Sequence, residues 1–497
     1  MKNSPEFREN KKTEKNSILK EDKNINHYNY YKLISGPLLF LIILYVIPIP
    51  GFSYAARGAV GTIIWMAMWW IFRPVHIGIT GLLPIVVNAL FNFVPMTEII
   101  ASYASPVIIL LFGANMITVS WELWGLDKRI ALKALCFIGT TIKQQLIIWF
   151  GMSVFLTIFL PNTVVAAVLA PIAVSMFKYV SPKKDLIKSK AGTAILLAIA
   201  WGTGLGGFGS PLGGAMNLVA IEYIEEQIIN NEYMFWTWTT RMLPMLLIVS
   251  IVILIYLMSF KFEMKELPGS KEFFNEKYKA MKKMSTGEKW SLILFIIAVI
   301  LAFSRPFYDN FIELLKPSYV FLIAGILTFI VPGDKGKRLS TWKYSGPRLM
   351  WGLFLLFGGG IAIGKFISLS GAGESLANIL TKTNISGGIL AISFIVLLGI
   401  LLSNISSNTA AVAILVPIVG NVIQSIGLNP IPYIYVAAVA CNCAYILPTS
   451  VRAIPVGYGL DPEELFSKGL LAILLSFVVV TLFGYIFVMY WPGFSLA

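Results

Sequence analysis

Two short stretches of this sequence carry the same polar signature. Pro161-Asn162-Thr163 is followed by seven small or aliphatic residues and then Pro171-Ile172. Ser407-Asn408-Thr409 is followed by a run of the same length and then Pro417-Ile418, 246 residues further on. An Asn-Thr pair ahead of an aliphatic run is suited to capping a helix, whose N-terminus offers positive dipole and unpaired N–H groups to an anion. Two such tips facing one another would cradle a small dianion, one carboxylate per tip. Carbonyls freed where helices break would suit a hard cation such as Na⁺. Arg452 is the third feature. It lies in Leu447-Pro448-Thr449-Ser450-Val451-Arg452-Ala453-Ile454-Pro455, where it is expected either to hold a substrate carboxylate bidentately or to be a fixed positive charge in place of a bound cation.

Other chemistries find little support. Cys441-x-Cys443 invites a metal reading, but Cys136 is the only other cysteine and His27 and His76 are the only histidines, so small buried thiols and no cofactor are expected. Gly359-x-x-x-x-Gly364-Lys365 resembles a phosphate loop but continues with Phe366 where Ser or Thr is required. Gly202-x-Gly204-x-Gly206-Gly207 echoes a dinucleotide fingerprint inside an apolar stretch, where glycines more simply permit close helix approach. No Ser/His/Asp set or carboxylate pair stands out, so an enzyme is not expected.

The elements that must position these residues follow from composition. Of 497 residues 57% are hydrophobic and 13% charged, about half the charge of an ordinary globular chain. Runs such as 38–49, 243–258 and 470–490 approach or exceed the length needed to cross a bilayer. A soluble enzyme, a disordered chain and a disulfide scaffold are excluded; an all-α polytopic membrane protein is expected. Conventional spans read near 33–50, 54–72, 75–93, 105–122, 236–259, 289–305, 317–331, 347–366 and 468–491. Four further apolar regions, 141–177, 190–228, 387–425 and 430–460, are interrupted midway by Pro, Gly, Asn, Ser or Thr.

The net charge of +14 bears on topology. With residues 1–32 read as a disordered cytoplasmic tail lacking a signal peptide, and with 141–177 and 387–425 entering and leaving on one side, 32 of the 39 Lys and Arg residues fall inside. Arg57, Arg305, Lys316, Lys365 and Lys382 fall outside, and Arg241 and Arg452 stay within segments. That asymmetry predicts two re-entrant hairpins, a cytoplasmic N-terminus and an external C-terminus, and leaves no nucleic-acid footprint. The repeated Asn-Thr tips, together with Leu111-Phe112-Gly113-Ala114 and Leu356-Phe357-Gly358-Gly359, predict two copies of one unit, inverted because the hairpins open from opposite sides.

The paired tips, with Trp121-Glu122-Leu-Trp-Gly125-Leu126-Asp127-Lys128-Arg129 and Leu356-Phe-Gly-Gly-Gly360, resemble the divalent anion/sodium symporter family, which includes the sodium–dicarboxylate and sodium–citrate cotransporters and the I'm-not-dead-yet proteins. The resemblance covers residues 33–497. It implies about 11 transmembrane helices plus two re-entrant hairpins, in a homodimer whose scaffold holds transport domains that move as elevators in the cell membrane. The corresponding division is tail 1–32, scaffold 33–140, transport 141–262, linker 263–288, scaffold 289–386 and transport 387–497. Asn162, Thr163, Ser407, Asn408 and Thr409 are implied to contact substrate carboxylates, joined by Ser210, Thr449 and Arg452 from the broken segments. Thr157 and Asn162 match one Na⁺ position, and Ser403 and Asn408 match a second. Pro161 stands where the family has Ser, and Thr449-Ser450-Val451-Arg452 replaces the second Pro-Pro-Asn element. A guanidinium about 4 Å from Na⁺ costs about 4 kcal/mol. A secondary active transporter of di- and tricarboxylates of the succinate, malate, fumarate and 2-oxoglutarate class is expected, and these departures lead us to expect sodium-independent dicarboxylate exchange. The alternatives are Na⁺-coupled symport, transport of a sulfate-like anion, and a membrane enzyme or scaffold.

Overall fold

The computed structural model describes residues 28–48, 50–182, 185–373, 375, 387–448 and 450–496. The tail reading therefore falls, through residue 27, outside the described residues, as do Lys382 and Thr449. The described residues form helices and loops, with only two isolated β-bridges. Nine of those helices are long and apolar enough to cross a membrane, and the chain is a multi-pass membrane protein.

The first part of the chain runs α1 (Tyr28–Leu41), α2 (Tyr54–Phe72), the short pair α3 (Ile77–Thr80) and α4 (Leu83–Phe91), then α5 (Met96–Ala101) and α6 (Pro106–Trp124). The expected span 75–93 is thus not one helix. The ladder breaks at Gly81-Leu82 just ahead of Pro84, whose ring and missing N–H cannot continue it. After the short α7 (Leu126–Leu135) come α8 (Ile142–Phe159), α9 (Asn162–Val180), α10 (Lys190–Gly206), α11 (Ala215–Ile224) and α12 (Phe235–Met258). The second part contains α13 (Ser270–Lys279), α14 (Thr286–Phe303), α15 (Pro317–Leu327), α16 (Trp342–Ser345), α17 (Trp351–Leu369), α18 (Ile389–Ile405), α19 (Asn408–Ser425), α20 (Ile431–Ala440), α21 (Ala453–Gly457) and α22 (Pro462–Tyr490).

Each interrupted region is interrupted as expected. α8 and α9 form one helical hairpin and α18 and α19 another, while α10–α11 and α20–α21 are helices broken over 207–214 and 441–452. Each hairpin packs on the first half of the broken helix that follows it, α8 on α10 and α18 on α20. The second halves cross over: α11 packs on α19, and α21 packs on α9. The two hairpins and two broken helices are therefore interlocked.

Burial follows from this. α10 is buried from Ala191 to Gly206 and α20 along its whole length. The α8–α10 contact depends on glycine: a Cβ at Gly206 would fall 2.0 Å from the Thr157 hydroxyl and 2.2 Å from the Val154 carbonyl. The outermost helices show the reverse pattern. Leu243, Leu247, Ile251 and Ile255 of α12, and Leu470, Leu474, Val478 and Leu482 of α22, recur every four residues on exposed faces. Such stripes are stable against lipid tails rather than water. The lookalike Gly359–Gly364 stretch lies inside α17, with no strand before it.

Candidate functional site

The hairpin turns are short. α8 ends at Phe159 and α9 begins at Asn162; α18 ends at Ile405 and α19 begins at Asn408. The Asn-Thr pairs are thus the first helical residues, not the caps expected of them. In the first hairpin the cap position is Pro161, which has no side-chain acceptor. In the second it is Ser407, whose hydroxyl accepts from the Ala410 N–H at 3.2 Å. This correction strengthens the anion reading, because residues at the first helical positions have N–H groups with no intrahelical partner.

Both tips open into one cavity of about 460 Å³. Pro161, Asn162 and Thr163 line it from one hairpin, and Ser407, Asn408 and Thr409 from the other. The volume is within the range of small-molecule sites. The broken segments contribute Leu212, Gly213 and Ser450. Ser450 is a non-glycine residue with φ of 53°, a left-handed conformation that costs energy and tends to occur where backbone is shaped for a ligand. Most of the rest of the lining comes from α6, α15, the His76–Ile77 turn and the start of α17. It is apolar at Leu110, Phe321 and Phe354 and polar at His76, Asn115 and Thr118. Asn115 is held in place by accepting from the Met350 N–H at 2.9 Å.

Not every expected residue reaches this cavity. Ser210 is buried with its hydroxyl donating to the Ile158 carbonyl and accepting from the Leu212 N–H at 3.2 Å. It shapes the break but does not line the cavity. Arg452 is fully buried and does not line the cavity either. Its Nε donates to the Leu447 carbonyl at 2.9 Å, Nη1 to Ala444 at 3.1 Å and Nη2 to Ser403 at 3.5 Å, the last a long contact. Its guanidinium is thus turned to carbonyls of the break and not to the cavity. Thr449 lies outside the described residues.

The cation positions differ between the halves. In the first, a Cβ at Gly213 would fall 2.2 Å from the Thr157 carbonyl, 2.9 Å from Gly207 and 3.0 Å from Ile158. Three carbonyl oxygens thus crowd around Gly213 Cα, a close approach that only glycine permits. That donor set suits a hard cation such as Na⁺. The Thr157 hydroxyl turns away, donating to the Ser153 carbonyl at 2.5 Å. Asn217 Nδ2 donates to the carbonyls of Gly207 and Ser210, both at 2.7 Å, and its buried Oδ1 has no partner among the described residues. In the second half the Ser403 carbonyl, matching Thr157, is the one facing Arg452. Asn408 Nδ2 reaches Asn442 Oδ1 at 3.3 Å, and Asn408 Oδ1 is buried without a partner among the described residues.

Three functional candidates were missed in the sequence. Asn404, one residue after Ser403, ties the second break to the hairpin: its Oδ1 accepts from the N–H of Tyr445 at 2.9 Å and Ile446 at 3.1 Å. Asn217 does comparable work in the first half. Their signal was an amide in an otherwise apolar run, legible only once the break was located. His76 had no motif to mark it.

A family model described as "Citrate transporter" matches residues 67–440. A protein of Staphylococcus saprophyticus named sodium-dependent dicarboxylate transporter SdcS is 29% identical over 486 residues, covering 94% of this chain and 93% of its own length. The protein of the same name from Staphylococcus aureus is 28% identical over 469 residues, covering 91% and 90%. Among solved structures, the Alcanivorax borkumensis YdaH transporter superposes with a TM-score of 0.58 at 14% identity, covering 80% of this chain and 88% of that one. The last likeness is one of fold.

Proposed function

We propose that this chain, which belongs to the citrate transporter family, carries small dicarboxylate dianions of the succinate, malate, fumarate and 2-oxoglutarate class across the cell membrane together with Na⁺. The observation that carries the reading is that both Asn-Thr tips end in one cavity with their helix N-termini toward it. Asn162 and Thr163 would bind one carboxylate, and Ser407, Asn408 and Thr409 the other, through side chains and first-turn N–H groups.

The expectation of sodium-independent exchange is not kept. The relatives are named sodium-dependent, and the carbonyls gathered at Gly213 support a cation position there, so Na⁺ symport takes its place. In our reading Thr157 and Asn162 belong to the first cation position through the Thr157 carbonyl and the Asn162 side chain. The second, at Ser403 and Asn408, is served by the Arg452 guanidinium, a built-in positive charge.

The finer architecture belongs to the same proposal. The interlocked hairpins and broken helices support an inverted repeat of about eleven spans and two re-entrant hairpins. The transport parts are 141–262 and 387–497, moving as an elevator against a scaffold of 33–140 and 289–386 linked by 263–288, in a homodimer with the N-terminus cytoplasmic. The placement of the cavity between hairpin tips on one side and α6 and α17 on the other supports such a motion.

Uptake of labelled succinate into proteoliposomes tests the function. An inward Na⁺ gradient is expected to drive accumulation, and collapsing that gradient to stop it. Counterflow that proceeds at full rate without Na⁺ would return the case to exchange.

A further inference from the structure

Outside the cavity, the most unusual buried group is a carboxylate. Glu222 lies on α11, is 2% exposed, and neither of its oxygens has a hydrogen-bond partner among the described residues. Its acidic neighbours are provided for: Glu225 Oε1 accepts from the Tyr233 N–H at 2.7 Å, and Glu226 Oε2 lies 2.8 Å from Lys365 Nζ. Lys365, the one cation on α17, is shared with Glu98 of α5 at 3.6 Å. The other elements packed on α11 bring no opposite charge. α19 offers Asn421, which donates to the Tyr223 hydroxyl at 2.8 Å. α20 carries only the tyrosines Tyr433 and Tyr435 among its titratable groups, and α6 presents the hydroxyl of its cap Ser105. Tyr103, just before that cap, gives its hydroxyl to the Gly81 carbonyl. An ionised carboxylate in such surroundings is costly, whereas the neutral acid is tolerated.

We propose that Glu222 is a proton-binding site and that the proton is a co-transported ion. The placement supports this. Glu222 borders a void of about 10 Å³ between α11, α17 and α19, lined also by Tyr223, Glu226, Gly360, Gly364 and Pro417, room for about one water. Leu218, one helical turn earlier on α11, lines the substrate cavity, so the two residues are about 6 Å apart along the helix axis. α11 belongs to one side of the proposed motion, while Ser105, Glu98 and Lys365 belong to the other. Movement between them changes the surroundings of Glu222, so that a proton taken from water on one side is released to water on the other. One H⁺ on Glu222 with one Na⁺ at the Gly213 cradle balances the two charges of a dicarboxylate. The inference rests on the transport reading and on Na⁺ coupling, but the proton can be tested separately from both.

The full chain in proteoliposomes holding a pH-sensitive dye is given external succinate and Na⁺. Wild type is expected to acidify the lumen as succinate enters. Glu222→Gln, which keeps the shape of the neutral acid, is expected to take up succinate without acidification. Absence of acidification in actively transporting wild type, or undiminished acidification by the variant, overturns the proposal. Thermal stability in detergent is the second readout and needs neither transport nor a substrate. A native state that holds a proton the unfolded chain has lost grows less stable as pH rises. Between about pH 6 and about pH 9, wild type is therefore expected to lose stability relative to Glu222→Gln. Parallel curves for the two proteins would overturn proton binding even if succinate uptake failed for both.

Discussion

The two hairpin tips are built alike and finished differently. The first is half-buried at Asn162 and Thr163, has Pro161 in its cap, and faces a break whose carbonyls are bridged by the neutral amide of Asn217. The second buries Ser407 and Asn408, is capped by a serine hydroxyl, and faces a break whose carbonyls are bridged by the guanidinium of Arg452. A broken helix at membrane depth must have its freed carbonyls satisfied. One half does this with a neutral side chain, beside three carbonyls gathered around Gly213; the other does it with a positively charged one. Similar scaffolding thus supports two different electrostatic solutions, one neutral and one charged.

Replacing Arg452 by Ala should have the largest effect. It would leave the Ala444 and Leu447 carbonyls unpaired in a buried site, at a cost of about 1–3 kcal/mol each, so thermal stability should fall sharply and transport should be lost. High Na⁺ should partly restore stability to this variant if a cation can take the place of the guanidinium; no Na⁺ effect would mean that the two breaks are not comparable. Gly213→Ala should come next. Its Cβ would sit 2.2 Å from the Thr157 carbonyl, a contact the backbone must shift to relieve, so thermal stability should fall and the Na⁺ concentration for half-maximal uptake should rise at least tenfold.

Asn162→Ala and Asn408→Ala each remove a polar contact to a charged group, worth about 1.5–3 kcal/mol, so succinate affinity should weaken about 10- to 100-fold in isothermal titration. The loss should be greater for Asn408, which is buried, than for the half-buried Asn162. Ser210→Ala should matter least to affinity, because its hydroxyl serves the Ile158 carbonyl outside the cavity. A loss in succinate affinity as large as that of Asn408→Ala would place Ser210 in the binding site after all.

Much of this arrangement is legible from spacing. The repeated Asn-Thr and Pro-Ile pairs locate both tips, and the apolar runs with central Gly, Asn and Ser locate both broken helices. What spacing does not disclose is where a polar side chain points. Ser210 and Arg452 lie in the right segments, yet both turn to backbone carbonyls, because the breaks create acceptors closer than the cavity. The break within the span expected over 75–93 goes unread for a related reason: hydropathy reads through Gly81-Leu82, where the helix stops ahead of Pro84. Glu222 is not marked by spacing either: it is a single carboxylate in the run that forms α11, and only packing shows that it is buried.

The number of Na⁺ ions moved with each succinate, obtained from the Na⁺ gradient that just balances a succinate gradient at clamped voltage and pH, is the most direct test of the contrast between the halves. One Na⁺ per succinate is the predicted ratio, through the Gly213 cradle alone; a ratio of two, or no Na⁺ at all, would contradict the account.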